Sequence, residues 1–152
     1  MQKVVLVKKR ESIAGAVNLA TEPTEASMLK PPARILIAED RELMRDALKT
    51  WFRLCKNWEV CGEASDGNEA VREADRLHPD LIVIDYKMHE TNGLQAAGRI
   101  LSFLPDVPIV MFTLYKTAEL ERAAKKVGIR CVVGKEEGVS SLLDAVQIQL
   151  PC

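Results

Sequence analysis

Five side chains able to carry charge or a reactive hydroxyl stand at the ends of apolar runs. Glu39 and Asp40 follow "RILIA", Asp85 follows "DLIVI", Thr113 closes "PIVMFT" and Lys135 closes "RCVVGK". A buried run that ends in a carboxylate is costly unless the charge is paired or employed, so these ends call for a common purpose. If the runs are parallel strands, their carboxyl ends share one rim, the rim on which open α/β sheets bind ligands. Three carboxylates gathered there repel one another unless a cation lies between them, and hard oxygen donors favour Mg²⁺. Asp85 then has the chemistry of a nucleophile toward a phosphoryl group. The metal, the Lys135 ammonium and the Thr113 hydroxyl would offset charge in the loose transition state. Taken singly, Asp40 is a helix cap, Lys135 a surface lysine and Thr113 a strand-end residue. Their joint placement is what favours a site.

The elements that must position these residues show in the hydrophobic pattern. Apolar runs lie at 34–39, 58–64, 80–85, 108–113 and 130–135. Helical spacing fills the gaps: Leu43, Met44, Ala47, Leu48, Trp51, Phe52 and Cys55 in the first, then Ala70 to Leu77, Leu94 to Leu104, Ala118 to Val127 and Leu142 to Leu150. Asp66 with Glu69 has the capping-box pattern, Thr117 is an N-cap, and Gly128 is a stop. Strands alternating with helices predict a parallel sheet covered on both faces, because parallel strands need crossovers.

Residues 1–33 stand apart. One short apolar run, Val4 to Val7, is followed by mixed small and polar residues and then Pro31-Pro32, a boundary signal. The expectation is a weakly ordered extension or an added edge strand, followed by one domain at 34–150. A formal net charge of −1, with 28% charged residues, gives no electrostatic reason to expect nucleic acid or a membrane as direct partner. No apolar stretch approaches the roughly 20 residues that span a bilayer, and no signal-peptide core follows the first lysines, so a cytoplasmic location is expected. The four cysteines form no CxxC pair, which favours reduced thiols over a zinc or dithiol site.

At these residues the chain resembles the receiver domains of bacterial two-component response regulators, over about 34–150. The resemblance is carried by "ILIAED" with its acidic pair, "PDLIVIDYKM" with Gly93 eight residues past the Asp, "PIVMFT" with its hydroxyl, and Lys135 twenty-two residues after Thr113. The stretch "GEASDGNEAVREADRLHPDLIVID" is most like receivers of helix-turn-helix transcription regulators. The resemblance implies a (βα)5 flavodoxin-like fold of strand order 2-1-3-4-5. It implies that Asp85 accepts phosphate from a sensor histidine kinase, with Mg²⁺ held by Asp40 and Asp85, by Glu39 mainly through water, and by the backbone carbonyl of Lys87. Lys135 would pair with the phosphoryl oxygens and Thr113 would swing inward to one of them, altering the face formed by the fourth helix, fifth strand and fifth helix, a possible homodimer surface. Such a chain is no enzyme beyond assisting its own phosphoryl transfer and dephosphorylation. Its output would lie in a partner protein or in a C-terminal domain not contained in this sequence.

Three positions depart from the family pattern. His89 stands where receivers usually have Pro, leaving the loop freer or adding a group to the site. Val132 replaces the aromatic that turns with the hydroxyl residue, and Tyr115 is either its substitute or a surface loop residue. Leu114, bulky where the family is often small, would shield an acyl phosphate from water. His89 and Val132 motivate the alternative of a degenerate receiver acting by protein contact without phosphate. Flavodoxin and haloacid dehalogenase readings fail, since "AEDREL" lacks a Thr/Ser/Gly phosphate loop and Lys87 stands where the second Asp of such a phosphatase would be.

Overall fold

The computed structural model describes residues 30–150. Most of the expected N-terminal extension, including Val4 to Val7, lies outside the described residues, as does Cys152. Among the described residues five strands alternate with five α-helices: β1 (Ala33–Ala38), α1 (Glu42–Arg53), β2 (Trp58–Ala64), α2 (Gly67–Leu77), β3 (Leu81–Ile84), α3 (Gly93–Phe103), β4 (Ile109–Thr113), α4 (Ala118–Val127), β5 (Cys131–Gly134) and α5 (Val139–Gln149). A single 3₁₀ turn, Lys135–Glu137, joins β5 to α5. All pairings are parallel, and the sheet order is β2-β1-β3-β4-β5, the 2-1-3-4-5 arrangement expected.

The unalternating apolar runs are explained by burial on both faces. Along β1, Leu36 and Ala38 pack with Ile82 and Ile84 of β3 under α2, α3 and α4, while Ile35 and Ile37 pack with Leu81 and Val83 under α1 and α5. All four strand residues of β3 are at most 1% exposed. Burying such side chains contributes about 1.5–3 kcal/mol each before conformational entropy is set against it. The central strands are therefore the most rigid base the fold can offer to the groups at their ends.

Local signals set most helix boundaries. The Asp66 side chain accepts from the Glu69 N–H at 2.8 Å, but Glu69 does not complete a reciprocal box. Its carboxylate instead accepts from Ser65, both N–H and hydroxyl, at 2.8 Å each. Thr117 caps α4 as expected, and Gly128 closes it at φ +115°, a conformation that costs glycine little. Asn92 and Gln95 form a full capping box at α3. In α1 the helical spacing holds, but the inward stripe is Leu48 and Phe52, and Leu43 is 85% exposed. Leu43 and Trp51 share the helical spacing but are exposed, at positions on the turn that face away from the sheet.

Candidate functional site

β1, β3 and β5 end one residue earlier than the sequence pattern suggests, and after β1 and β3 the backbone ladder carries the next residue. Glu39 N–H donates to the Ala64 carbonyl at 3.0 Å, and Asp85 N–H to the Ala38 carbonyl at 2.9 Å. Each acid is therefore fixed by its main chain while its side chain leaves the core. Asp40 does not cap α1. The N-cap position belongs to Arg41, whose N–H is instead satisfied by Glu39 Oε1 at 3.0 Å.

Glu39, Asp40 and Asp85 come together, one carboxylate oxygen from each lying within 4.8 Å of the others. Glu39 is 2% and Asp85 7% exposed. Lys135 reaches across from the end of β5: its Nζ donates to Glu39 Oε2 at 2.6 Å and to Asp85 Oδ2 at 3.0 Å. The other Asp85 oxygen, Oδ1, accepts from the Tyr86 N–H at 2.7 Å. Burial pushes the Glu39 carboxyl above the ordinary carboxylate range, and the neighbouring Asp85 charge pushes the same way, while hydrogen bonds from Lys135 and the Arg41 N–H oppose them. With three acids and one ammonium, the cluster keeps an excess of negative charge. Its donors are hard oxygens, and the set fits a Mg²⁺ ion, which needs only one or two carboxylates beside water. Both oxygens of Glu39 and both of Asp85 already have donors within the protein, whereas Asp40 has only the imidazole of His89 nearby.

Thr113 ends β4 fully buried, and its Oγ1 accepts from the Tyr115 N–H at 3.1 Å. The register places Ile84 beside Met111, so Asp85 and Thr113 emerge from adjacent strands. Lys87 is exposed, and its Nζ lies 5.3 Å from the centroid of the Tyr115 ring. Leu114 is 55% exposed. Val132 is buried against the α2–α4 side of the core, where it serves packing. His89 is not in the pocket interior: 85% exposed, its Nδ1 stands 3.7 Å from Asp40 Oδ2.

Several supporting residues had no signature in the sequence. Arg45 Nη1 donates to the Glu39 carbonyl at 2.7 Å, holding the turn that presents the acidic pair. Asn68 at the start of α2 ties down the loop after β3: its Oδ1 accepts from Thr91 Oγ1 at 2.9 Å and from Arg99 at 2.7 Å, and its amide donates to Glu90 at 3.2 Å. Glu90 adopts φ +65°, uncommon for a residue with a side chain. A Cβ on Gly93 would collide with the Asp85 carbonyl oxygen, so only glycine lets α3 start this close to the end of β3.

A parallel sheet of this order with an acid cluster, a lysine and a hydroxyl at its carboxyl edge defines a class, and the chain belongs to the response regulator receiver domain family, whose profile matches residues 35–147. It is 36% identical over 128 residues to the transcriptional regulatory protein PdtaR of Mycobacterium tuberculosis, covering 84% of this chain and 62% of that protein. It is 30% identical over 115 residues to the response regulator protein VraR of Staphylococcus epidermidis, covering 75% of this chain and 54% of that one. The match thus spans between about half and three-fifths of these relatives' length. Among solved structures, the response regulator domain of Thermotoga maritima CheB superposes with a TM-score of 0.74 at 26% identity, covering 80% of this chain and 98% of that one. A LuxR-family two-component response regulator from Aurantimonas sp. SI85-9A1 gives 0.75 at 24% identity, covering 77% and 84%, a likeness of fold. Among the described residues no helix is long and apolar enough to cross a membrane.

Proposed function

We propose that this chain is the phosphoacceptor of a two-component relay and that Asp85 takes the phosphoryl group from the phosphohistidine of a sensor histidine kinase. The observation that carries the reading is the Lys135 ammonium bridging Glu39 and Asp85, with Asp40 in the same cluster, at the carboxyl ends of a receiver-family sheet. The Tyr86 N–H on Oδ1 orients the Asp85 carboxylate, and Oδ2 attacks as the Lys135 ammonium that it holds shifts to the phosphoryl oxygens. The new P–O bond forms as the P–N bond breaks, and the imidazole leaves with the electron pair. Lys135, already 3.0 Å from Oδ2, meets the phosphoryl charge as it arrives. Asp40, Asp85 and the Lys87 carbonyl would hold Mg²⁺, with Glu39 acting through water. Bound there, the ion neutralises phosphoryl charge.

Thr113 then turns its hydroxyl toward a phosphoryl oxygen, and the surface of α4, β5 and α5 responds. In this reading residues 34–150 are the receiver, cytoplasmic, acting through a partner protein, an output domain or a second copy, without binding nucleic acid itself. The chain catalyses only its own phosphorylation and dephosphorylation. Incubation with acetyl phosphate and Mg²⁺ tests the proposal. Wild type should gain one phosphoryl group, read by intact-protein mass spectrometry, and Asp85→Asn should gain none. An unmodified wild type would instead favour the degenerate receiver that works by contact alone.

A further inference from the structure

Two exposed side chains next to the site are joined in a way the phosphoacceptor chemistry does not require. Lys87 stands two residues beyond Asp85 and Tyr115 two residues beyond Thr113, on the loops that leave adjacent strands β3 and β4. The Lys87 Nζ at 5.3 Å from the Tyr115 centroid is within cation–π range, and it links the two loops directly. On its backbone side the same tyrosine is tied to the buried switch hydroxyl, since its N–H donates to Thr113 Oγ1 at 3.1 Å. Tyr115 is 48% exposed, so packing alone does not fix its ring. Val132, packed at the margin of the core, offers no aromatic to move with Thr113.

We propose that Lys87 and Tyr115 form a clasp that holds Thr113 in its present orientation and so sets how readily the site accepts a phosphoryl group. When the Thr113 hydroxyl turns toward a phosphoryl oxygen, its Oγ1 leaves the Tyr115 N–H. The loop then loses the bond that positions the ring under Lys87. The clasp stabilises the arrangement without phosphate, and any ligand that needs the turned hydroxyl works against it. Lys87 and Tyr115 are thus positioning residues acting through Thr113, and Tyr115 takes the reporting part that Val132 cannot. The inference rests on the phosphoacceptor reading above.

Its sign separates the clasp from plain electrostatics. Lys87 is a cation beside a site for an anion, so a merely electrostatic role predicts that its removal weakens phosphoryl-analogue binding. A clasp predicts the opposite. The test is titration of the full chain with beryllium fluoride in the presence of Mg²⁺, followed by NMR at the Thr113 and Tyr115 amides. Lys87→Ala and Tyr115→Leu should each tighten binding by about two- to five-fold, the range an exposed cation–π contact confers. The double variant should be no tighter than either single one, and Tyr115→Phe, which keeps the ring face, should bind as wild type does. Unchanged or weaker binding in Lys87→Ala overturns the clasp, as does a double variant in which the two effects multiply. Should Tyr115→Leu fail to fold, the Lys87→Ala arm decides alone by its sign. Failure of wild type to bind beryllium fluoride is a different result, and it overturns the phosphoacceptor reading on which the clasp depends.

Discussion

Gly93→Ala places a methyl where the Asp85 carbonyl oxygen already stands, with the Asp85 carbonyl carbon at 3.0 Å and Met111 Cε at 3.1 Å. A methionine tip can move aside, but the carbonyl cannot, because Asp85 is anchored to β1 through its N–H on Ala38. The N-terminus of α3 must therefore shift outward and lengthen the 2.7 Å bond from the Gly93 N–H to the Tyr86 carbonyl. Loss of that bond costs about 1 kcal/mol, and overpacking adds about 1–3 kcal/mol. The smaller unfolded-state entropy of alanine returns about 0.4–1 kcal/mol, leaving a net loss of about 1–3 kcal/mol. For a domain of this size that lowers Tm by roughly 5–12 °C. Thermal and urea unfolding followed by circular dichroism measures it. Gly98→Ala, in the same helix, is the matched control: only Val127 Cγ1, at 3.8 Å, comes near the added methyl. Removing a mid-helix glycine there should stabilise by about 0.5–1 kcal/mol. A Gly93→Ala protein that melts with wild type, or a Gly98→Ala protein that is equally destabilised, would refute the reasoning.

Two further outcomes are expected. Glu137 accepts from Lys116 Nζ at 2.7 Å and from the Gly134 N–H at 2.8 Å, and these bonds, the lysine first, hold its carboxyl below the ordinary glutamate value. A depressed folded-state pKa gives stability that is present above the unfolded value and disappears as pH falls through the folded one. Urea titrations should therefore find Glu137→Gln less stable than wild type at neutral pH, with the gap closing in acid; a gap that widens in acid would contradict the assignment. Leu114→Ala should shorten the lifetime of phosphorylated Asp85 by opening the end of β4 to water, measured as loss of the phosphoryl group after acetyl phosphate is removed; an equal or longer lifetime would show that Leu114 does not shield it.

The sequence made the sheet and the acid rim legible for a common reason. A strand buried on both faces admits only apolar residues, so "LIVI" followed by Asp85 marks both the strand and its end. The same logic exposes Thr113 and Lys135, although Lys135 belongs to a 3₁₀ turn and only its long side chain returns it to the site. Short-range chemistry was partly readable: Asp66 caps α2, yet Glu69 turns to Ser65, because a hydroxyl and an N–H there offer its carboxylate two donors. What could not be read depends on loops meeting in space. Asn68 gathers Thr91, Arg99 and Glu90 from 22 to 31 residues away, His89 comes to stand beside Asp40, and Lys87 reaches Tyr115. None of these has a period or a fixed offset, so each needs the folded sheet before it exists. Leu43 shows the converse, an apolar residue at helical spacing that the helix nonetheless turns outward.

Phosphorylation at a defined residue tests the account most directly. After incubation with acetyl phosphate and Mg²⁺, wild type should carry one phosphoryl group that maps to the peptide containing Asp85. The group should be absent from Asp85→Asn and strongly reduced in Lys135→Ala. A wild-type protein that gains nothing, or a phosphoryl group that persists in Asp85→Asn, would contradict it.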